Sequence, residues 1–273
     1  MKKTFFLLLT LCTTAITFVS CGSDSDDIVS QADTSAVSAS IVIDAINEMD
    51  VNTGLKVSAD NSTAKPSETG PEACATITVE KTTAEDYPKV ITVDYGTGCT
   101  INQITRKGKL KITLTGPVTI TGSKMTIERI DYSISDMKLE GTIEYENITT
   151  EQTVPKWTRK VTNGKLTDLQ GRFYTNSGNY TTKQTEGVAT LTLSDNVYEI
   201  TEGTHTVTSN SGGVLTLTVQ ETLIKKYSCD FISKGKLKVQ GGYLNGVVDY
   251  GNNDCDRNYT YTHEDGAIYT LVM

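Results

Sequence analysis

The sequence predicts an all-β fold: an antiparallel meander forming a sandwich, roll or barrel, with one short N-terminal amphipathic helix. Three observations carry this. From Ala75 onward, apolar and polar residues alternate with period two, as strands with one wet face require. Turn-forming dipeptides recur between the alternating runs and mark about a dozen strands. The chain holds 45 threonines, and β-branched side chains suit a half-exposed pleated surface. No βαβ rhythm is present, so the sheet should be antiparallel.

The chain opens on Met1-Lys2-Lys3 and an apolar run over residues 5–19. That run is shorter than the ~20 residues needed to cross hydrocarbon, so residues 1–20 are read as a signal peptide. Ser20-Cys21 places a small residue directly before a cysteine, the pattern of a lipobox, which makes Cys21 the expected lipidation site. Gly22-Ser-Asp-Ser-Asp-Asp27 then begins an acidic tether over residues 21–34. Loss of residues 1–20 removes Lys2 and Lys3, leaving 23 basic against 33 acidic residues, a net charge of −10. Such a chain, with no basic stripe, argues against nucleic acid as a partner.

A helix is expected over residues 35–54. Val37, Ile41, Ala45 and Met49 recur every four residues, and Val42 and Ile46 widen the stripe. Asp33, Thr34 or Ser35 can cap its start, and Gly54 marks its end. One apolar face means that the helix packs on the sheet. Residues 55–73, with Pro66, Gly70 and Pro71, read as a loop. The remainder of 55–273 forms the β-domain. Leu110, Ile112 and Leu114 fall on one strand face, as do Leu215, Leu217 and Val219; Glu144 and Glu146 alternate with Ile143 and Tyr145.

One local pattern occurs twice. Val93-Asp94-Tyr95-Gly96 and Val248-Asp249-Tyr250-Gly251 each close an apolar run, and a cysteine follows (Cys99, Cys255). Cys74 and Cys229 each lie twenty residues before the aspartate. Four cysteines in an exported chain favour disulfides, and the duplicated spacing assigns Cys74–Cys99 and Cys229–Cys255. A metal site is the rival reading, unsupported by any CxxC pair or neighbouring histidine. Lys107-Gly-Lys-Leu, Lys234-Gly-Lys-Leu and Asn163-Gly-Lys-Leu also recur. The repeats read either as diverged halves of a duplication or as convergent hairpin chemistry.

The lipobox, the short helix, the run Pro88-Lys-Val-Ile-Thr-Val-Asp-Tyr-Gly-Thr-Gly-Cys99, the Arg106-Lys-Gly-Lys-Leu110 strand and the C-terminal Asp-Tyr-Gly with its Cys-Asp together resemble a group of uncharacterised Bacteroidota lipoproteins. The resemblance covers most of the chain beyond the signal peptide and implies no activity and no site residues.

Candidate chemistry is sparse, and no catalytic residue or cofactor is assigned. Asp254, Asp256 and Asn258 have the one-three-five spacing of a calcium loop, with Asp265 at the twelfth position, but Tyr259 stands where that loop needs glycine. A polar turn is the alternative. His205 is expected on the solvent face of its strand, and His263 on the face of Tyr259 and Tyr261. Asp94 and Asp249, with Glu144 loosely equivalent, could act as paired carboxylates or simply form turns. Tyr243, Tyr250, Tyr259, Tyr261 and Tyr269 make either an exposed aromatic row or the edge of a core. Trp157 fits core or contact, and Gly96-Thr-Gly98 precedes no helix and forms no phosphate loop.

These features lead to the expectation of a lipid-anchored outer-membrane protein at the cell surface, with a non-catalytic binding or structural role and an envelope protein or glycan as partner. A surface protein that binds or cleaves glycans through Asp94 or Asp249, and a fimbrial or adhesin-like subunit, are the alternatives.

Overall fold

A computed structural model describes residues 25–59, 73–81, 84–190 and 192–273, with helix side chains described from Thr34. The signal peptide and the lipobox cysteine Cys21 lie outside the described residues. Helix α1 spans Ser25–Ala59. Fourteen strands follow: β1 Thr76–Lys81, β2 Lys89–Asp94, β3 Cys99–Ile101, β4 Ile104–Leu114, β5 Lys124–Ile134, β6 Met137–Asn147 and β7 Lys156–Thr167. The remainder are β8 Phe173–Glu186, β9 Val197–Ser209, β10 Val214–Lys226, β11 Lys234–Gln240, β12 Gly246–Asn252, β13 Asn258–His263 and β14 Ile268–Val272. All belong to one antiparallel sheet in chain order, except that β3 pairs only with β4. β1 and β14 are its two edges. The expected all-β meander with a helix is therefore the fold.

The helix is longer than its apolar stripe. It begins at Ser25, inside the stretch read as tether, and continues through Gly54 into the stretch read as loop. Gly54 does not end it because a larger side chain has no room there: a Cβ would sit 2.5 Å from Met125 Sδ. Close packing, not termination, calls for glycine. The helix is also buried around its circumference. Its C-terminal half (Ile43, Ile46, Met49, Val51, Leu55) packs with the inner faces of β2 to β9, and Val37 and Ile41 pack with those of β8 to β13. The sheet thus curls around the helix, and the helix serves as the core of the roll.

The alternation is realised as read. Leu110, Ile112 and Leu114 face inward, as do Leu215 and Leu217, with Val219 partly buried beside them. Glu144 and Glu146 face out and share Lys124 at 3.3 and 3.1 Å. Trp157 is core: its indole N–H donates to the Val118 carbonyl at 3.0 Å, and its ring stacks on Tyr145.

The Gly-Lys-Leu repeats lie inside strands, where the pairing register slips, and not directly after turns. Gly108 (φ 77°) and Gly235 (φ 107°) take the left-handed region at such slips. A Cβ at Gly108 would lie 2.1 Å from the Asp131 carbonyl oxygen, and one at Gly235 would lie 2.4 Å from that of Thr222. These bulges bend the strands and let the sheet wrap the helix. Each bulge sets its lysine opposite the aspartate of an Asp-Tyr-Gly: Lys109 opposite Asp94, Lys236 opposite Asp249. The two pairs come in opposite chain order, β2 before β4 but β11 before β12. A tandem duplication keeps one order, so this shared geometry reflects local pairing chemistry.

Both expected disulfides form, with Cα–Cα separations of 5.6 Å for Cys74–Cys99 and 5.3 Å for Cys229–Cys255. Each closes a loop of about 25 residues, which contributes roughly 3 kcal/mol in the chain-entropy account.

Gly108→Ala should lower the unfolding free energy in urea by at least about 1–2 kcal/mol, the strain of a left-handed alanine before any clash. Gly98→Ala, at a position with open space around it, should change it by less than about 0.5 kcal/mol.

Candidate functional site

Several polar residues of α1 do not face water. Asp44, Asn47, Asp50 and Thr53 recur every three residues, so they wind around the helix, and all are buried. Three arginines of the sheet meet them. Arg159 on β7 donates from Nη1 to Glu48 at 2.5 Å and from Nη2 to Asp44. Arg129 on β5 donates from Nε and Nη2 to Asp50 at 2.9 and 2.7 Å, and from Nη2 to Asn47 at 2.8 Å. Arg106 on β4 donates to the Thr53 hydroxyl at 2.8 Å and to Tyr95 Oη at 2.9 Å. Tyr132 donates its hydroxyl to Asp50 at 2.8 Å.

Burial raises the Glu48 pKa, and the Arg159 charge opposes that rise. Burial also works against the charge on Arg159, but Asp44 and Glu48 outweigh it and keep the guanidinium protonated.

The same face of the sheet buries two further bases. His205 is only 2 % exposed, and neither ring nitrogen has a partner among the described residues. Burial holds its pKa down at about 4. The expected solvent-face position is therefore wrong. His205 stands two residues before Val207 and shares its inward face, while Thr204 and Thr206 point away; the stretch from Thr201 to Gly203 reverses the phase set by Tyr198 and Ile200. Lys225 is also buried, and its ammonium donates to the carbonyls of Cys229 and Lys226. Burial lowers its pKa to about 8.

Two adjoining cavities open where the helix passes Ser35. The larger, about 620 Å³, has a floor of Ala36, Val207, Leu215 and Leu244 and a rim that includes Ser209 and Asn210. The smaller, about 390 Å³, is lined by Val42, Met137, Leu166 and Leu271. Arg172 and Tyr174 contribute to both. The Arg172 charge is already matched: its Nε donates to Asp168 at 2.7 Å, and Asp168 also accepts the backbone amides of Gln170 and Arg172. Those bonds outweigh partial burial and lower the Asp168 pKa. The larger cavity therefore offers an apolar floor, hydroxyl and amide groups at its mouth, and no uncompensated charge.

The carboxylates singled out in the sequence are not brought to this cavity. Asp94 accepts the Gly96 amide at 2.9 Å and pairs with Lys109 at 2.9 Å. Lys109 and the Gly96 amide together lower its pKa. Asp249 accepts the Gly251 amide at 2.9 Å, with Lys236 at 3.7 Å. Both are turn formers on the outer face. Asp256 accepts the Asn258 backbone amide at 2.9 Å and its side-chain amide at 3.1 Å, which is turn capping, and Asp265 caps Ala267. Asp254 and Cys255 lie in the same exposed turn. Among the described residues no three His, Cys, Asp or Glu side chains are grouped to hold a metal ion.

His263 does stand on the Tyr261 face, edge-on to that ring, with Nε2 2.7 Å from the Tyr243 carbonyl and Nδ1 2.9 Å from Asp265. Of the tyrosines, Tyr250, Tyr259 and Tyr261 are core, Tyr269 is partly buried on Tyr261, and Tyr243 is exposed at the cavity mouth. Sequence reading missed the three arginines. Their signal was present in parity: Arg159 lies between Trp157 and Val161, and Arg129 follows Met125 and Ile127, each in phase with apolar residues.

The family described as "Oxidoreductase family, C-terminal alpha/beta domain" matches residues 49–217. The chain belongs to this family. The match runs from the later part of α1 into β10 and takes in Arg172, Tyr174, Val207, Ser209 and Leu215 of the cavity wall. Comparison with curated proteins and with solved structures found no match. The family membership overturns the expected non-catalytic role, together with its glycan-acting and fimbrial alternatives, because the family is one of oxidoreductases. Composition and strand pattern carry no mark of that chemistry, which is why the sequence reading passed it by.

His205 supplies a pH dependence. Its folded pKa of about 4 lies below the unfolded value of about 6.5. Above pH 6.5 both states are neutral there and the residue is silent. As pH falls, the unfolded chain takes up the proton first, so stability is lost between about pH 6.5 and 4 and the loss levels off below. The stability difference between wild type and His205→Gln, followed by urea unfolding against pH, should move in the variant's favour by up to about 3 kcal/mol across that window. A pH-independent difference would contradict it.

Proposed function

We propose that the protein acts as the substrate-side part of an oxidoreductase, with the larger cavity as the substrate site. The observation that carries this reading is the family match, whose span includes much of the cavity wall. Every strand pair among the described residues is antiparallel. Gly96-Thr-Gly98 leads into strand β3 and not into a helix. The described residues therefore lack the helix N-terminus on which a βαβ unit seats a dinucleotide. In this reading the electron carrier is held by another domain or chain.

The substrate fits the cavity's chemistry. An apolar floor with hydroxyl and amide groups at the mouth suits a small uncharged molecule that has an apolar body and one alcohol or carbonyl group. Arg172 does not select for an anion, because Asp168 neutralises it.

Titration calorimetry with a panel of small alcohols, aldehydes and ketones tests the site. At least one compound should bind to the wild type. Ser209→Trp, which fills the mouth from a half-buried position, should weaken that binding by at least tenfold, about 1.4 kcal/mol. Equal binding by the variant, or no binding across the panel, would count against the cavity as the substrate site.

A further inference from the structure

The two edges of the sheet are built differently. β1 carries Glu80 and Lys81, and Lys81 is paired with Asp86 at 2.6 Å. Charge of this kind discourages edge-to-edge pairing. β14 reads Ile268-Tyr-Thr-Leu-Val272 and has no charged residue and no proline. Ile268 is 68 % exposed and Val272 is 62 % exposed.

Among the described residues its backbone is open as well. β13 and β14 pair in register through Tyr261 and Tyr269, and Tyr259 and Leu271. The amide of His263 donates to Ala267, and that of Met273 to Arg257. Hydrogen-bonded pairs alternate along an antiparallel ladder, so residues 267, 269, 271 and 273 turn their backbone groups toward β13. Ile268, Thr270 and Val272 turn theirs toward the free edge.

We propose that this edge pairs with β14 of a second copy of the chain, antiparallel and centred on Thr270. The strand is self-complementary about that residue. Thr270 meets Thr270 of the partner subunit across a two-fold axis, and each exchanges N–H and C=O bonds with the other. Ile268 of one copy stands opposite Val272 in the other, also as a hydrogen-bonded pair, so apolar side chains meet on the outer face. Tyr269 and Leu271 oppose one another on the inner face. Every facing pair matches in character, and no charge is brought against a like charge. A two-fold axis requires such self-complementarity of an isologous contact. An edge of five residues buries little area, so the dimer belongs with the transient class of under about 1,200 Å². Leu271 also lines the smaller cavity, which places the second copy beside the mouth of the roll.

Sedimentation velocity over a concentration series from micromolar to millimolar tests this. The wild type should pass from monomer to dimer. Thr270→Pro removes an amide that β13 does not use and should abolish the dimer while circular dichroism stays unchanged. Ile268→Lys, which leaves the backbone intact, should weaken it by at least tenfold and covers the case in which the proline variant misfolds. A short bis-maleimide linker should join two copies of Thr270→Cys much faster than two copies of Thr260→Cys, one strand further in. A wild type that stays monomeric throughout, a dimer that survives Ile268→Lys, or equal linking rates at the two cysteines would overturn the proposal.

Discussion

The ion pairs between α1 and the sheet are the constraint on which the rest of the molecule depends. A helix carrying Asp44, Glu48 and Asp50 cannot be enclosed unless those carboxylates meet charge, because an unpaired buried carboxylate costs several kcal/mol. Arg106, Arg129 and Arg159 reach the helix from three different strands and contact successive turns of it. Hydrophobic packing alone would let the helix rotate or slide within the roll. The charge pairs of Arg159 and Arg129, with the Arg106–Thr53 hydrogen bond further along the helix, fix both rotation and depth. Replacing such pairs by apolar residues can leave stability unchanged; what the pairs add is a single register of helix against sheet.

The other features follow from that enclosure. A sheet that surrounds a helix must curl, and the left-handed glycines at Gly108 and Gly235 supply bends inside its strands. Cys74–Cys99 and Cys229–Cys255 close loops next to the Asp-Tyr-Gly strands at either side of the sheet. The helix leaves the roll past Ser35, and there the inner face opens into the cavities lined by Arg172 and Tyr174. The site is thus a consequence of where the helix stops filling the roll. Its walls come from β8, β9 and β10 and from the turn after β11, so helix depth sets the cavity's shape.

Much of this was legible in the sequence. Period-two alternation around Leu110 and Leu215 is a direct print of the inner face, and the matched cysteine spacing gave the disulfide pairs. The helix was legible as a helix, but its environment was not. Only the apolar stripe was read, and pattern alone cannot say that arginines wait opposite Asp44, Asn47 and Asp50. Arg159 between Trp157 and Val161, and His205 in phase with Val207, were the clues that polar residues point inward. Gly-Lys-Leu looked like a turn product because a bulge and a hairpin both call for glycine at positive φ. The cavity was not legible at all, since its residues come from segments far apart in the chain, each ordinary in isolation. The oxidoreductase family emerged only from comparison over residues 49–217.

The most direct measurement is a double-mutant cycle on Asp50 and Arg129, using Asp50→Asn and Arg129→Met and urea unfolding at neutral pH. Each single change strands a buried polar partner and should cost about 3–5 kcal/mol. The double variant should lose less than the sum of the two, with a coupling energy above about 1 kcal/mol. Single losses below about 1 kcal/mol with additive behaviour would mean that the pair is wet and weak, and the helix would then be held in the sheet by its apolar contacts alone.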